Sequence, residues 1–340
     1  MSFPKIAIVI PCRNEEKYIE KCLISIFNQT YPQDKIKILV VDGLSTDNTR
    51  QKINDLIKKR KNLYLIDNKN KTTPFALNIG IKESMDCEYI MILGAHAELY
   101  SDYLEKAIKI LLLNIEISCL GGILENISEN KTTEAISFAM SSLFGVGSAH
   151  FRTGFKEGFV DTVAFGMYKK DVFEKVGLFD EELTRNQDDE FNYRLLKHNL
   201  KIFLSKDLKA KYYVRSSFIK LFRQYFQYGY WKVYVNRKHK TITSVRQLAP
   251  FVFVFFILIF GVLSIFSNLI LFIFSTVLIL YFLIGFGFSF KYYRNITGNL
   301  KILFSFFIIH ISYGLGYLKG LWDFIIWRKK VKTRDVQLTR

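Results

Sequence analysis

Between Ala249 and Phe290 the chain runs for 42 residues without a charged side chain. A run of that length is rare in a water-soluble core and is enough for two membrane crossings of roughly 20 residues each. Ser267-Asn268 near its middle marks a tight turn, dividing it into one span from Pro250 to Phe266 and another from Leu269 to Phe290. Both ends of such a hairpin face the same side of the membrane. Lys232, Arg237, Lys238, Lys240 and Arg246 flank one end, and Lys291 and Arg294 the other, so the positive-inside rule places that side in the cytoplasm.

The apolar segment that follows, Ile302 to Trp327, contains His310, Gly314, Gly316, Lys319, Gly320 and Asp323. As a full third span it would carry Arg328, Lys329 and Lys330 to the opposite side, against the charge rule; a re-entrant or interfacial segment would not. The pattern fits two spans or three. Ahead of the hairpin, Phe218, Phe222, Tyr225, Phe226 and Trp231 recur at helical spacing among Lys220, Arg223 and Lys232. An aromatic, basic amphipathic helix of this kind suits the lipid headgroup layer, and an ordinary core helix is the simpler reading of the same spacing.

Charge follows the same division. The formal net charge is +17, yet residues 1–205 carry 27 basic and 28 acidic side chains, a balance of −1. Residues 206–248 contribute +10 and residues 249–340 contribute +8. The excess cations accompany the membrane-facing segments, which argues against a nucleic-acid partner. Half the residues are hydrophobic and only 4 are Cys, excluding a disordered chain and a disulfide scaffold. Cys12, Cys22, Cys87 and Cys119 show no CxxC pairing and read as reduced, structural residues. The apolar run Ile6 to Ile10 is too short for a cleavable signal sequence, so the N-terminal part is expected in the cytosol.

That part alternates short β-branched runs with helical patterns. Ile6 to Ile10, Ile36 to Val41, Leu63 to Ile66 and Tyr89 to Leu93 read as strands, and Glu15 to Asn28, Thr46 to Lys59, Pro74 to Ser84 and Ser101 to Leu113 as helices. The alternation predicts an α/β fold with a mostly parallel sheet covered on both faces, in which ligands bind beyond the carboxyl ends of the strands. After the first strand, Pro11-Cys12-Arg13-Asn14-Glu15-Glu16 offers a helix start and a cation for an anion, although the two Glu are also ordinary first-turn residues. After the second, Asp42 can accept from a base N–H or a ribose hydroxyl, while Ser45, Thr46 and Asp47 read as caps of the next helix.

The string IAIVIPCRNEEKYIEKCLISIFNQTYP, followed by ILVVDGLSTDNT, resembles the N-terminal half of a family 2 glycosyltransferase. TTPFALNIGI at 72–81, LGAHAEL at 93–99, VDTVAFGMYKKDVFEKVGLFDEEL at 160–183 and NQDDEFNYRLLK at 186–197 extend the likeness in the expected order over about the first 240 residues. With RQYFQYGYWK at 223–232 and a short membrane tail, the arrangement is most similar to bacterial exopolysaccharide transferases of the succinoglycan type. The resemblance implies a GT-A (Rossmann-like) nucleotide-sugar domain over residues 1–215 and an amphipathic interface helix with a basic linker over 216–248. A transmembrane hairpin over 249–290 and a third membrane or interfacial segment with a basic tail over 291–340 complete the expected organisation.

By position, the resemblance assigns Pro11, Arg13, Asn14 and Glu15 to the first nucleotide-binding loop and Asp42 to the base or ribose. Asn78 and Ala95 fall on the nucleotide side, although a plain helix polar residue is an equal reading of Asn78. Asp188 matches the general base, with Gln187 where the family's Glu often stands; Asp189 and Glu190 are neighbours for acceptor hydroxyls, and either is an alternative base. Gln227 and Trp231, spaced Gln-x-x-x-Trp, resemble the acceptor-capping Gln-x-x-Arg-Trp of processive synthases, with Tyr230 in place of Arg and interface aromatics as the alternative.

The chain departs from the family at Gly94-Ala95-His96, where relatives carry the Asp-x-Asp metal motif. Three readings remain: Mn2+ or Mg2+ held by His96 and the substrate diphosphate with oxygen from Glu98, metal-independent transfer with cationic help, or a degenerate protein. A sugar leaves a diphosphate only if the departing charge is stabilised and a nucleophile approaches the opposite face. One displacement with one base inverts the anomeric centre. The implied enzyme is thus a membrane-anchored inverting transferase that moves sugar from a nucleotide-sugar, most often UDP-linked, to a polyprenyl-linked or polysaccharide acceptor among membrane lipids. A polyprenyl-phosphate monosaccharide transferase, a processive synthase and a non-catalytic scaffold are the rival readings.

Overall fold

The computed structural model describes residues 3–292 and 295–331. Arg294, one of the expected basic flanks, lies outside them. The chain begins β1 (Ile6–Cys12), α1 (Ile19–Phe27), β2 (Ile36–Asp42), α2 (Thr49–Ile57), β3 (Leu63–Asp67), α3 (Thr73–Lys82) and β4 (Tyr89–Ile92). Every strand and helix expected in this stretch is present. These four strands pair in parallel, and Ile6 to Ile10 are wholly buried, as a strand covered on both faces requires. The first helix starts later than the apolar pattern suggests, because Glu15 and Glu16 use their backbone N–H groups on Thr49 and Asp47 of the next loop.

The chain continues through β5 (Ala97–Leu99), α4 (Tyr103–Leu113), β6 (Ile117–Ile127), α5 (Lys131–Ser141), α6 (Leu143–Val146), α7 (His150–Thr153), β7 (Gly158–Phe159), β8 (Met167–Lys169), α8 (Asp171–Val176), α9 (Gln187–Lys197) and β9 (Lys201–Tyr213). Among the described residues the strands form one nine-stranded sheet ordered β3-β2-β1-β4-β8-β6-β9-β5, with β7 added alongside β9. The sheet is parallel through β4 and antiparallel at β4–β8, β8–β6, β9–β5 and β7–β9. Its core includes Val9, Val41, Ile90, Cys119, Tyr168, Phe173 and Phe191, all buried. The four cysteines are buried and free.

The chain forms two compact units, residues 1–125 with 150–213, and residues 126–149 with 214–340. The segment 126–149, which falls inside the expected catalytic domain, therefore packs with the C-terminal helices. Those are α10 (Phe218–His239), α11 (Ala249–Leu263), α12 (Asn268–Phe290) and α13 (Ile296–Gly320), the last continued by a π-helical turn, Leu321–Ile326. Among the described residues three segments are long and apolar enough to cross a membrane: Val245–Leu263, Asn268–Phe290 and Ile296–Ile326. Ser267 caps α12 and makes the turn between the first two.

The amphipathic helix expected before the hairpin is α10. It runs beside α13 with Tyr225 and Trp231 buried, Phe218 and Phe226 half-buried and Phe222 exposed; Phe218 meets Phe304 near one end and Tyr234 meets Phe324 near the other. Glycine makes the approach possible. A Cβ at Gly229 would stand 2.0 Å from the Tyr313 carbonyl oxygen, and one at Gly316 2.0 Å from that of Phe226. The glycines that made the third segment look irregular are thus its packing surface, as small residues are between membrane helices.

Candidate active site

The site is built where β1 and β2 end level, with Cys12 opposite Asp42 in register. Two loops leave these strands and interlock. Asn14, in a left-handed conformation (φ 53°), donates its N–H to Ser45 Oγ at 2.8 Å and accepts from Thr46 N–H at 2.9 Å. Glu15 N–H donates to Thr49 Oγ1 at 2.8 Å, and Glu16 Oε2 accepts from Asn48 N–H at 3.0 Å. Asp42 is fully buried; its carboxylate accepts from Ser45 N–H at 3.0 Å, from the Ser45 hydroxyl, and from Arg50 at 2.7 Å. Arg50 also reaches Asp67 at 2.8 Å, at the end of β3.

These bonds revise two expectations. Ser45 and Thr46 tie the two loops rather than cap α2, and of the three expected caps only Asp47 serves it, accepting from Thr49 N–H at 3.0 Å. Asp42 organises the loop through its side chain, so a nucleotide meets the frame it holds. Arg13 is half-buried and forms no ion pair or hydrogen bond among the described residues, which leaves its guanidinium available beside the frame.

Asn78 and Ala95 are corrected. Asn78 is buried in α3, with both amide protons donated to Phe179 O and Glu181 Oε1 at 2.9 Å and its oxygen accepting from Phe179 N–H at 2.9 Å. It clamps the chain ahead of α9 and has no donor left for a nucleotide. The Ala95 side chain is buried, so only its backbone can face a ligand.

His96 follows β4, with Nδ1 3.3 Å from Glu15 Oε1 and its ring edge-on to Tyr212 at 5.2 Å between centroids. Glu98 turns elsewhere, accepting from the Tyr213 hydroxyl and pairing with Lys211 at 3.5 Å. Gly94 is closely neighboured by Phe165: a Cβ there would lie 3.0 Å from Phe165 Cε1 and 3.3 Å from Cζ, so the ring would have to give by a few tenths of an ångström to admit one. Phe165 itself sits at φ 52°, a conformation that bulky residues rarely adopt and that collects at functional sites. A phenyl ring lies beside the place of the motif's first carboxylate, and among the described residues no group of three His, Cys, Asp or Glu side chains is arranged to hold an ion. One imidazole paired with one carboxylate does not fit the hard, oxygen-rich shell that Mn2+ or Mg2+ takes.

On the other side, α9 starts from Asn186 at φ 61° and presents Asp188 at its first turn. Asp188 is open to solvent, yet protein surrounds it. That desolvation, with Asp189 beside it as the second cause, raises its carboxyl above the ordinary carboxylate value, while Arg152 pulls it back. Asp188 Oδ1 accepts from Asp189 N–H at 2.9 Å. Glu190 is corrected as an acceptor or base residue: it is buried and forms a two-pronged pair with Arg194 at 2.8 and 3.0 Å, and Arg194 also ties down Val176 O and Leu178 O. Gln187 Oε1 is buried without a hydrogen-bond partner.

Gln227 and Trp231 belong to the second unit. Trp231 is buried on α10 against Phe324 and Tyr234, a packing role in place of the expected acceptor cap, and Gln227 is half-buried on the same helix. Arg152, Phe165 and Tyr212 were not singled out by any sequence pattern, yet they surround His96 or act on Asp188.

The mostly parallel sheet, with two interlocked loops at the carboxyl ends of β1 and β2, is a GT-A fold. The family described as "Glycosyl transferase family 2" matches residues 7–177, and the chain belongs to it. It is 35% identical over 326 residues to the dolichyl N-acetyl-alpha-D-glucosaminyl phosphate 3-beta-D-2,3-diacetamido-2,3-dideoxy-beta-D-glucuronosyltransferase of Methanococcus voltae, covering 93% of this chain and 97% of that protein. It is 28% identical over 244 residues to the succinoglycan biosynthesis protein ExoA of Rhizobium meliloti, covering 72% and 73%. The solved mannosyltransferase PcManGT from Pyrobaculum calidifontis, in complex with GDP-Man and Mn2+, aligns with TM-score 0.64 at 18% identity over 94% of this chain and 88% of that one. S. aureus TarS 1-349 with UDP-GlcNAc aligns at 0.51 and 19% identity, over 66% of this chain and 64% of that one. The chain is a GT-A glycosyltransferase, and a divalent cation accompanies this fold in some of its structural neighbours.

Proposed function

We propose that this protein transfers a sugar from a nucleotide-sugar, UDP-linked by preference, to a lipid-linked saccharide at the cytoplasmic face of the membrane, with inversion. The supporting observation is Asp188, a carboxylate at the surface in the first turn of α9, with Arg152 in its electrostatic surroundings. In the proposed step an acceptor hydroxyl oxygen forms a bond to the anomeric carbon and its proton passes to Asp188. The bond from that carbon to the diphosphate oxygen breaks, and its electron pair leaves with the diphosphate. A base whose pKa lies nearer the working pH is the more effective one. Arg13 and the frame held by Asn14, Ser45 and Asp42 receive the nucleotide.

The acceptor class rests on the Methanococcus voltae relative, whose name describes transfer to a dolichyl-linked N-acetylglucosaminyl phosphate and whose likeness extends through the helical tail. The basic flank from Lys232 to Arg246 supports a cytoplasmic catalytic unit. The test is a panel of nucleotide-sugars on detergent-solubilised protein with polyprenyl-linked saccharides, scoring nucleotide release. Turnover with a lipid-linked saccharide that is lost in Asp188→Asn supports the reading; turnover only with a bare lipid phosphate would replace it by the polyprenyl-phosphate transferase.

A further inference from the structure

The region around Gly94 is lined by aromatic rings. Phe165, held in the left-handed region, sets its ring edge 3.0 Å from where a Cβ on Gly94 would stand, beside the place of a metal motif's first carboxylate. Tyr212, paired in register with Ala97, is the next aromatic in the cluster, with its ring centroid 6.5 Å from that of Phe165. Two cationic or basic groups share Tyr212 as a neighbour. His96 meets it edge-on, and the Arg152 guanidinium lies over it, 5.1 Å from the ring centroid. Arg152 comes from α7, a turn of helix that no metal motif includes.

We propose that the charge developing on the leaving diphosphate is received by the Arg152 guanidinium, seated on Tyr212 beside His96, in place of a divalent cation. The inference rests on the nucleotide-sugar reading above. When the anomeric C–O bond breaks, its electron pair moves onto a phosphate oxygen, and a cation fixed at that point lowers the barrier without moving. A planar guanidinium suits the task because it can bond two phosphate oxygens at once and never loses its proton. The Tyr212 face holds it in place through cation–π attraction. Arg152 also acts electrostatically on Asp188, which puts the base and the leaving-group cation in one electrostatic neighbourhood, as a single displacement needs.

The test measures binding of UDP and UMP by titration calorimetry to the full chain in detergent, with chelator or with Mn2+, alongside turnover. In the wild type, UDP affinity should be the same in both conditions. In Arg152→Gln, UDP should weaken about tenfold or more while UMP binding is kept, and kcat should fall on the order of 10²-fold. Arg152→Lys should retain part of the UDP preference. Mn2+ tightening UDP tenfold in the wild type, or an unchanged UDP-to-UMP ratio in Arg152→Gln, would overturn the proposal and leave the transferase reading standing. Should Arg152→Gln fail to fold, the wild-type chelator comparison and Arg152→Lys still decide. A wild type that binds neither UDP, GDP nor dTDP in either condition would overturn the transferase reading, and the Arg152 assignment with it.

Discussion

The two halves of the candidate site are built on opposite plans. On the donor side, around Asn14, Ser45 and Asp42, side-chain polar groups are bonded to other protein groups, and the loops brace one another across β1 and β2. On the reaction side, Asp188 stands open with a raised pKa, Gln187 keeps a buried oxygen without a partner, and Phe165 is in a conformation it would not choose. A saturated network is rigid and holds a shape; an unsaturated cluster costs stability and keeps groups ready for a substrate. Substitutions should therefore separate cleanly, affecting folding on one side and turnover on the other.

The sharpest separation is expected at Asp188. Loss of a general base typically removes 10²- to 10⁴-fold of rate, so Asp188→Asn should lower kcat by about that factor with little change in nucleotide affinity. Stability should move the other way. A carboxyl raised in the folded state contributes stability below its unfolded pKa and loses it as pH rises through the folded value, so at neutral pH its charge is a cost. Asp188→Asn should melt at or above the wild-type temperature. A variant that is both inactive and markedly less stable would show Asp188 to be part of the scaffold and would break the contrast.

Asp42 should give the reverse result. Asp42→Ala leaves the Ser45 N–H without its acceptor and Arg50 with Asp67 alone, a loss of about 2 kcal/mol for charge-assisted bonds at a buried carboxylate. Denaturant unfolding should register it, together with a raised KM for the donor as the loop pair loosens. Retained stability with a pure kcat defect would mean that Asp42 contacts the reacting substrate after all.

Gly94 lies on the border between the plans. Gly94→Asp restores a carboxylate to the metal motif, but its Cβ meets the Phe165 ring at 3.0 Å, so overpacking should cost about 1–3 kcal/mol and Mn2+ should not stabilise the variant. Thermal unfolding with and without Mn2+ checks both parts. A rise in melting temperature specific to Mn2+ would show that the ring yields and that the site is still a latent metal site.

What was legible in the sequence follows the same contrast. The parallel strands, the helices after them and the places of the loops at 11–16 and 42–49 repeat patterns that backbone geometry imposes on any fold of this kind, and they were readable as elements, while the bonding inside the loops was not. Nor was the aromatic cluster around Gly94. Nothing in the sequence marks Phe165 as left-handed, since glycine or asparagine is the usual sign, and Arg152 belongs to no periodic pattern. Glu190 and Arg194 were readable as an i,i+4 pair, yet their neighbourhood to Asp188 suggested an acceptor role that their burial removes. In the second unit the aromatic face of α10 reads first as a helix for the headgroup layer, with a core helix as the simpler alternative. The close approach of Gly229 and Gly316 to the facing helix joins positions far apart in the chain, and no local pattern announces it.

The smallest effect is also the most specific. With Asp188 as base, turnover should rise with pH through its raised pKa, giving an acid limb above the range of an ordinary aspartate. Its first cause is burial, which a surface substitution does not alter; its second is the Asp189 charge, and the opposing influence is Arg152. Asp189→Asn should therefore move the limb to lower pH, and Arg152→Gln should move its residual activity to higher pH, each by less than the burial effect. A group acting only through packing would shift neither limb in a charge-dependent sense, so opposite displacements in the two variants would place both residues in the electrostatic field of the base. Displacements in the same direction, or none, would assign the acid limb to another group and Asp188 to the scaffold.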